Sequence, residues 1–390
     1  MNCKSLRLCV VSILAVSTSF GQPKILNIQS NVLLSRDTIV KKQLLTSLNE
    51  FLLQATKPNN ENTFVLPSNL LKTSILLDEM KDLGKDNKYK SDTFYKAYLT
   101  NVIQINDSNF IIQLSYIGVN ESIPILKASF TLLANKKETQ FYFNSPLQQN
   151  TISWKVKKIG YTNVYFKSTL NAENAKAYFK MIKDYDKKLN APNGPTDFYC
   201  ADNFREVLQL IGIDYKSDYN GYARNAETAK ENNYTLNVNG MLTSDFTKFD
   251  PHDLWHDRLH NVLSTDIINR PVDEGTAYLY GGSWGLSWKE ILDRFSTYAT
   301  ANPNSDWFSL YNESKNFDEK GKFPLNVDFA INALIVQKIE KEKGFASVIE
   351  LLSCGKKEKG NEKYFQVLEK ITGISKKNFN DTIRNLIKNN

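Results

Sequence analysis

Four segments rich in β-branched and aromatic residues dominate the first half of the chain and constrain its fold most strongly. They cover residues 95–105, 110–119, 123–133 and 139–143. Short runs of Asn, Asp, Glu, Ser and Lys separate them, and such runs are typical of hairpin turns. Because strands joined by short turns pair as antiparallel neighbours, the pattern predicts an antiparallel meander.

Helical periodicity precedes this meander. Apolar residues recur at helical spacing over 37–55, behind the capping pair Asp37-Thr38, and again over 68–83 before Gly84. We therefore expect an α+β protein whose N-terminal helices pack on one face of an antiparallel sheet. Two further strand patterns, at 152–156 and 162–166, could continue the same sheet.

The second half changes from mixed to mainly helical patterns. A helix is expected over 172–189, and a Pro- and Gly-containing turn closes it. Strand patterns at 197–200 and 234–238 flank a helical pattern at 203–211, and helical signals predominate from residue 250 onward. The predicted division is a signal peptide at 1–21, an N-terminal α+β domain at 22–167, a connecting helix and linker at 168–196, and a mixed α/β then mostly helical domain at 197–390.

The N-terminus has the pattern of an export signal. Lys4 and Arg7 precede an apolar run of nine residues at 8–16, and Ser19-Phe20-Gly21 supplies small residues for cleavage. Nine apolar residues are too few to cross a bilayer, which needs about 20. No later run of 18 apolar residues occurs, so we expect a secreted or periplasmic protein without a transmembrane segment.

Charge and cysteine content bear on two questions, whether the protein binds nucleic acid and whether a disulfide stabilises it. The 49 basic and 42 acidic residues are interspersed, and no basic block alternates with aromatic residues, which argues against nucleic-acid binding. After removal of the signal, Cys200 and Cys354 are the cysteines that remain. Export permits a disulfide between them, but two buried thiols fit their apolar surroundings equally well.

All three histidines of the protein lie within nine residues, at His252, His256 and His260. Asp250-Pro251 marks a helix start, since aspartate caps helices and proline favours the first turn. At about 100° per residue, His252 and His256 then lie at the edge of the apolar stripe and beside Asp253. Two imidazoles one turn apart can share a metal ion. A structural or incidental role for the cluster remains open on this geometry alone.

The motif and its downstream sequence resemble a known zinc site. His252-Asp253-Leu254-Trp255-His256 resembles the His-Glu-x-x-His helix of the gluzincins, the thermolysin-like metallopeptidase superfamily. Asp273-Glu274-Gly275-Thr276-Ala277-Tyr278 is similar to the second helix of that superfamily's aminopeptidase branch, and Glu274 lies 18 residues after His256. The resemblance covers about residues 197–390 and implies a gluzincin-like fold there.

This resemblance implies a ligand set and a catalytic group. His252, His256 and Glu274 would bind Zn²⁺, with water in the fourth position. Asp253 occupies the position of the glutamate that acts as general base on that water. Its side chain is one methylene shorter, a loss of reach of about 1.5 Å. Metal binding does not need this residue, whereas catalysis does.

The roles of the surrounding polar residues are less constrained. His260 does not match another zinc-peptidase pattern, in which a third histidine follows six residues after the second. It could be a donor that supports the ligands from outside, a substrate contact or a solvated helix residue. Asp273 and Asp257 are candidates for orienting a ligand imidazole, because histidine ligands usually donate their second N–H to an acceptor.

Together with the export signal, the resemblance implies an exported zinc-dependent peptidase that cleaves a peptide or protein substrate with metal-activated water. The alternative is a catalytically impaired relative that acts as a binding or scaffold module, because Asp253 replaces glutamate. Nothing in the sequence indicates an oligomeric state.

Overall fold

A computed structural model describes residues 25–85, 88, 90–192, 194–221, 224–247 and 249–390, so the predicted signal peptide at 1–21 lies outside the described residues. The chain forms two compact units. The first comprises residues up to 67, 77–145 and 213–218, and the second comprises 68–76, 146–212 and 219–390. Both helices and strands are abundant, which confirms the α+β class.

Helices and strands are numbered in chain order. The strands are β1 (Leu26–Ile28), β2 (Lys96–Gln104), β3 (Asn109–Asn120), β4 (Ile123–Lys137), β5 (Gln140–Asn144), β6 (Lys155–Ile159), β7 (Thr162–Phe166), β8 (Thr196–Cys200), β9 (Ile213–Lys216), β10 (Ala226–Glu231) and β11 (Tyr234–Asn239). The helices are α1 (Thr38–Gln54), α2 (Leu70–Met80), α3 (Leu147–Asn150), α4 (Ala172–Leu189), α5 (Phe204–Ile211), α6 (Pro251–His260), α7 (Arg270–Gly281), α8 (Trp288–Ala301), α9 (Trp307–Asn312), α10 (Val327–Lys343), α11 (Phe345–Leu352), α12 (Glu362–Thr372) and α13 (Phe379–Lys388).

The first unit contains the predicted meander. Strands β2 to β5 pair in sequence order with antiparallel neighbours, β1 adds to β2 in parallel, and β9 pairs with β4. Helix α1 buries Leu48 and Phe51, and the Phe51 ring lies 5.0 Å from that of Phe143 on β5, measured between centroids. The helix therefore packs on the sheet through its apolar stripe, as its periodicity predicts.

The second unit contains a mixed sheet of order β10-β11-β8-β7-β6. Its parallel pairs are β11 with β8 and β8 with β7, and its outer pairs are antiparallel. The expectation that 152–156 and 162–166 continue the first sheet is therefore wrong. Val164 and Phe166 on β7 belong to one buried cluster with Ala175 and Tyr178 on α4, which holds this strand in the second unit. Alternation predicted the buried face of the strand but could not indicate its sheet.

This pairing also changes where the chain divides. Residues 68–76 and 146–167, which the sequence division assigned to the N-terminal domain, lie in the second unit, and residues 213–218 lie in the first. The assignment of β9 depends on its pairing with β4, in which Tyr215 opposes Ser129. Four residues without a strong alternating pattern gave no signal of this long-range pairing.

Cys200 and Cys354 are both free thiols, so the disulfide considered from the sequence is not formed. Burial raises the pKa of Cys200 to about 12 and that of Cys354 to about 11. Both cysteines thus act as small apolar side chains. Across the part of the chain that the structure describes, no helix combines the length and apolar character needed to cross a bilayer.

Two glycines allow α7 to approach its neighbours. A Cβ atom on Gly275 would lie 2.6 Å from the Asn332 Cβ and 2.9 Å from the Ala333 nitrogen, both on α10. A Cβ atom on Gly281 would lie 2.6 Å from the His252 nitrogen on α6. Since real Cβ atoms do not approach other atoms so closely, both helix contacts require glycine.

Replacement of Gly275 by alanine should test this close packing. Alanine favours helix by up to about 1 kcal/mol over glycine. Overpacking against α10 costs about 1–3 kcal/mol, so we expect Gly275→Ala to lower the free energy of unfolding in urea. The exposed-site control Lys289→Ala should change it by less than about 0.5 kcal/mol. A stabilised Gly275→Ala protein would contradict the contact.

Candidate metal centre

Helix α6 begins as its sequence predicts. The Asp250 side chain accepts a hydrogen bond from the His252 backbone N–H at 2.9 Å, and Pro251 occupies the first helical position. Leu254, Trp255 and Leu259 are buried. This burial fixes the rotation of the helix and places His252 and His256 at the edge of its packed face, where both rings are partly buried.

A hydrogen bond joins the His252 ring on α6 to the turn between α7 and α8. The His252 Nδ1 lies 2.7 Å from the Gly282 carbonyl oxygen. A carbonyl can only accept, so Nδ1 carries a proton, and Nε2 of the neutral ring presents its lone pair. Gly282 follows α7 with φ of +76°, a conformation that glycine adopts readily, and thereby directs its carbonyl to the ring.

A buried carboxylate orients His256. Its Nδ1 lies 2.7 Å from Asp273 Oδ1, so this nitrogen donates and Nε2 is again left with a lone pair. The Nε2 atoms of His256 and His252 lie 3.2 Å apart. Two lone pairs at this distance repel unless a proton or a cation lies between them. The hydrogen bonds of the two rings thus create a position that attracts a cation.

Glu274 completes the group. Its Oε2 lies 3.5 Å from His252 Nε2 and 3.9 Å from His256 Nε2. Together with the 3.2 Å nitrogen separation, these distances are close to those between ligands that share one zinc ion, which lies about 2.0–2.2 Å from each nitrogen or oxygen ligand. The group could therefore hold a metal ion, and its donors fit zinc.

The opposite charges of these residues shift their pKa values. Burial alone would lower the pKa of His252, but Glu274 and the Gly282 carbonyl raise it above its ordinary value. Burial alone would raise the pKa of Glu274, but His252, His256 and Arg270 lower it. Burial alone would also raise the pKa of Asp273, but His256 and His260 lower it. The two carboxylates are therefore ionised at neutral pH and available to a cation.

The structure brings together most of the residues that the sequence singled out. His252, His256 and Glu274 converge, and Asp273 orients His256 as anticipated. Asp253 is exposed and, over the described residues, its side chain has no hydrogen bond or ion pair. Asp257 makes no side-chain hydrogen bond to a histidine ring in the described chain, which leaves Asp273 as the orienting carboxylate.

Two contacts of the site were not predicted from the sequence. One is the Gly282 carbonyl on His252. The other is Arg270, whose Nε lies 3.5 Å from Glu274 Oε1. Its spacing of four residues from Glu274 is a signal for a helical ion pair and could have identified this contact.

Tyr278 lies beside the centre but is engaged elsewhere. Its ring centroid lies 6.0 Å from that of His252, and its hydroxyl accepts a hydrogen bond from the Asn326 backbone nitrogen at 3.4 Å. Burial raises its pKa well above the ordinary value. Tyr278 is therefore a packed wall of the site, with a neutral hydroxyl at physiological pH.

Comparison with known proteins adds no family assignment. The chain matches no protein-family model, and no curated protein sequence matches it. The chemistry of the site therefore has to be inferred from its own residues.

The pKa shifts predict a pH window for the stability of the metal-free protein. The lowered pKa of Glu274 gives a contribution present above 4.5 and lost as the pH falls through its folded-state value. The raised pKa of His252 gives a contribution present below 6.5 and lost as the pH rises through its folded-state value. The two residues therefore carry opposite charges throughout the range between these limits.

We expect the melting-temperature difference between the parent and Glu274→Gln, in excess chelator, to be largest between pH 4.5 and 6.5. It should shrink on either side of this window. Glu313→Gln, at an exposed position, is the matched control and should show no such maximum. A difference that does not vary with pH for Glu274→Gln would contradict the charge pairing.

Proposed function

We propose that this protein is an exported, zinc-dependent peptidase of gluzincin type, secreted or periplasmic, with His252, His256 and Glu274 as zinc ligands. One observation carries the proposal. The two Nε2 atoms and the Glu274 oxygen lie within 3.9 Å of one another, close enough to share one zinc ion. The hydrogen bonds at both Nδ1 atoms support it, since they select the tautomers that a metal needs.

The surroundings of α6 and α7 add support. A mixed sheet, whose last strand in the sequence is β11, precedes α6, and a mostly helical region follows α7. This is the order that the gluzincin resemblance implies. The contact of α6 with α7 is fixed by Trp255, whose indole N–H donates to Thr276 Oγ1 at 2.8 Å within the buried interior. A rigid helix pair keeps ligands from separate helices at fixed distances.

These contacts suggest a separate role for each residue of the proposed site. Zinc bound there would polarise a scissile carbonyl and lower the pKa of a water molecule at the open position. Gly282 and Asp273 hold the two imidazoles in their ligand tautomers. Asp253 lies one residue after His252 and is exposed without a partner in the described chain, so its carboxylate is free to accept a proton from water.

The same residue favours the second candidate, a metal-holding relative without peptidase activity. Asp253 is exposed, and its side chain is about 1.5 Å shorter than a glutamate would be. A general base must come within about 2.6–3.2 Å of the proton it removes. If the helix position does not compensate, the protein binds zinc and peptides without cleaving them.

The two candidates differ in the behaviour of Asp253 variants. On a quenched-fluorescence peptide library, zinc-loaded Asp253→Asn should lose about 10²–10⁴-fold in activity, because it removes the general base. Asp253→Glu should be at least as active as the parent, because it restores reach. Asp257→Asn, at an exposed position of the same helix, is the matched control and should retain activity.

Zinc content must be measured in each of these proteins, since none of the substitutions removes a ligand. Equal cleavage by the parent and Asp253→Asn would refute the base role of Asp253. Stoichiometric zinc without chelator-sensitive cleavage in the parent or either Asp253 variant would establish the second candidate instead.

A further inference from the structure

Both oxygens of the Asp273 carboxylate are held by histidines. Oδ1 lies 2.7 Å from His256 Nδ1, and Oδ2 lies 3.1 Å from His260 Nε2. Asp273 belongs to α7, whereas the two histidines lie one turn apart on α6. One buried carboxylate thus connects a proposed zinc ligand with a residue that takes no part in the ligand group.

Burial makes this second hydrogen bond consequential. The Asp273 side chain is 8% exposed, so water has little access to its oxygens. A buried carboxylate oxygen without a donor is costly, and its carboxylate would turn to recover one. With His260 on Oδ2, the plane of the carboxylate is fixed, and Oδ1 remains directed at His256.

The backbone of Asp273 is fixed as well. Its carbonyl oxygen accepts a hydrogen bond from Thr276 Oγ1 at 2.6 Å, and Thr276 in turn accepts one from Trp255 at 2.8 Å. The side-chain torsion angles are therefore the conformational freedom that remains at Asp273. Its orientation depends on the two imidazoles that hold it.

We propose that His260 is a positioning residue that strengthens zinc binding at His256 through Asp273. This inference rests on the proposed zinc site but adds a residue that neither coordinates the metal nor contacts the substrate in that proposal. Groups that orient ligand histidines typically change metal affinity about 10–100-fold when removed. His260 acts one hydrogen bond further out, through a carboxylate that has no second donor for Oδ2 among the described contacts.

The test compares His260→Ala with His260→Gln by competition of the full-length mature protein with a chromophoric zinc chelator. His260→Ala leaves Asp273 Oδ2 without its donor, and we expect the zinc dissociation constant to rise about tenfold or more. Glutamine retains an N–H donor, so His260→Gln should stay within about threefold of the parent. Asn261→Ala, at the exposed adjacent position, is the matched control and should bind zinc as the parent does.

The outcomes separate this inference from the proposed function. A parent protein that binds no zinc overturns both. Zinc binding that is unchanged in His260→Ala, or equally weakened in His260→Gln and His260→Ala, overturns the positioning role alone. A parent that binds two zinc ions while His260→Ala binds one also overturns it, because His260 would then be a ligand of a second ion. Since His260 is 38% exposed, neither substitution leaves a buried cavity, and circular dichroism checks the fold.

Discussion

The opposed lone pairs of His252 and His256 are the constraint on which the site depends. Their Nε2 atoms face each other at 3.2 Å because each Nδ1 donates to an acceptor on the far side of its ring. One acceptor is a carbonyl and the other is a buried carboxylate. The arrangement is unfavourable for two neutral imidazoles without a cation between them, and Glu274 adds negative charge at the same point.

The packing of two helices maintains this constraint. Helix α7 supplies Glu274, Asp273 and, just beyond its end, Gly282, so its position relative to α6 sets the distances between the two histidines and these partners. Gly281 and Gly275 permit the approach of α7 to α6 and α10, and the Trp255–Thr276 hydrogen bond fixes their register. Core packing and the geometry of the site are therefore linked in this unit, so we expect substitutions at these glycines to affect both.

Local sequence patterns predicted the helices, the strands and the converging group of side chains. They did not predict which distant segments pair. The apolar periodicity of α1, the helical pattern of α4 and the hairpin turns of β2 to β5 gave their positions within a few residues. The histidine spacing and Glu274 gave the converging group. The membership of β7 in the second sheet and the pairing of β9 with β4 depend on contacts between distant segments. The hydrogen bond between His252 and the Gly282 carbonyl also depends on such contacts, and no residue type in the sequence predicts it. The hydrogen bond of His260 to Asp273 corresponds to one of the three roles that the sequence left open for His260.

We propose that one metal ion is bound by these three side chains. Anomalous diffraction at the zinc edge, from crystals of the zinc-loaded protein, tests it most directly. The account predicts one peak about 2.0–2.2 Å from His252 Nε2, His256 Nε2 and a Glu274 oxygen. Zinc bound elsewhere, or a Glu274 carboxylate turned away from the ion while both imidazoles remain in place, would contradict it.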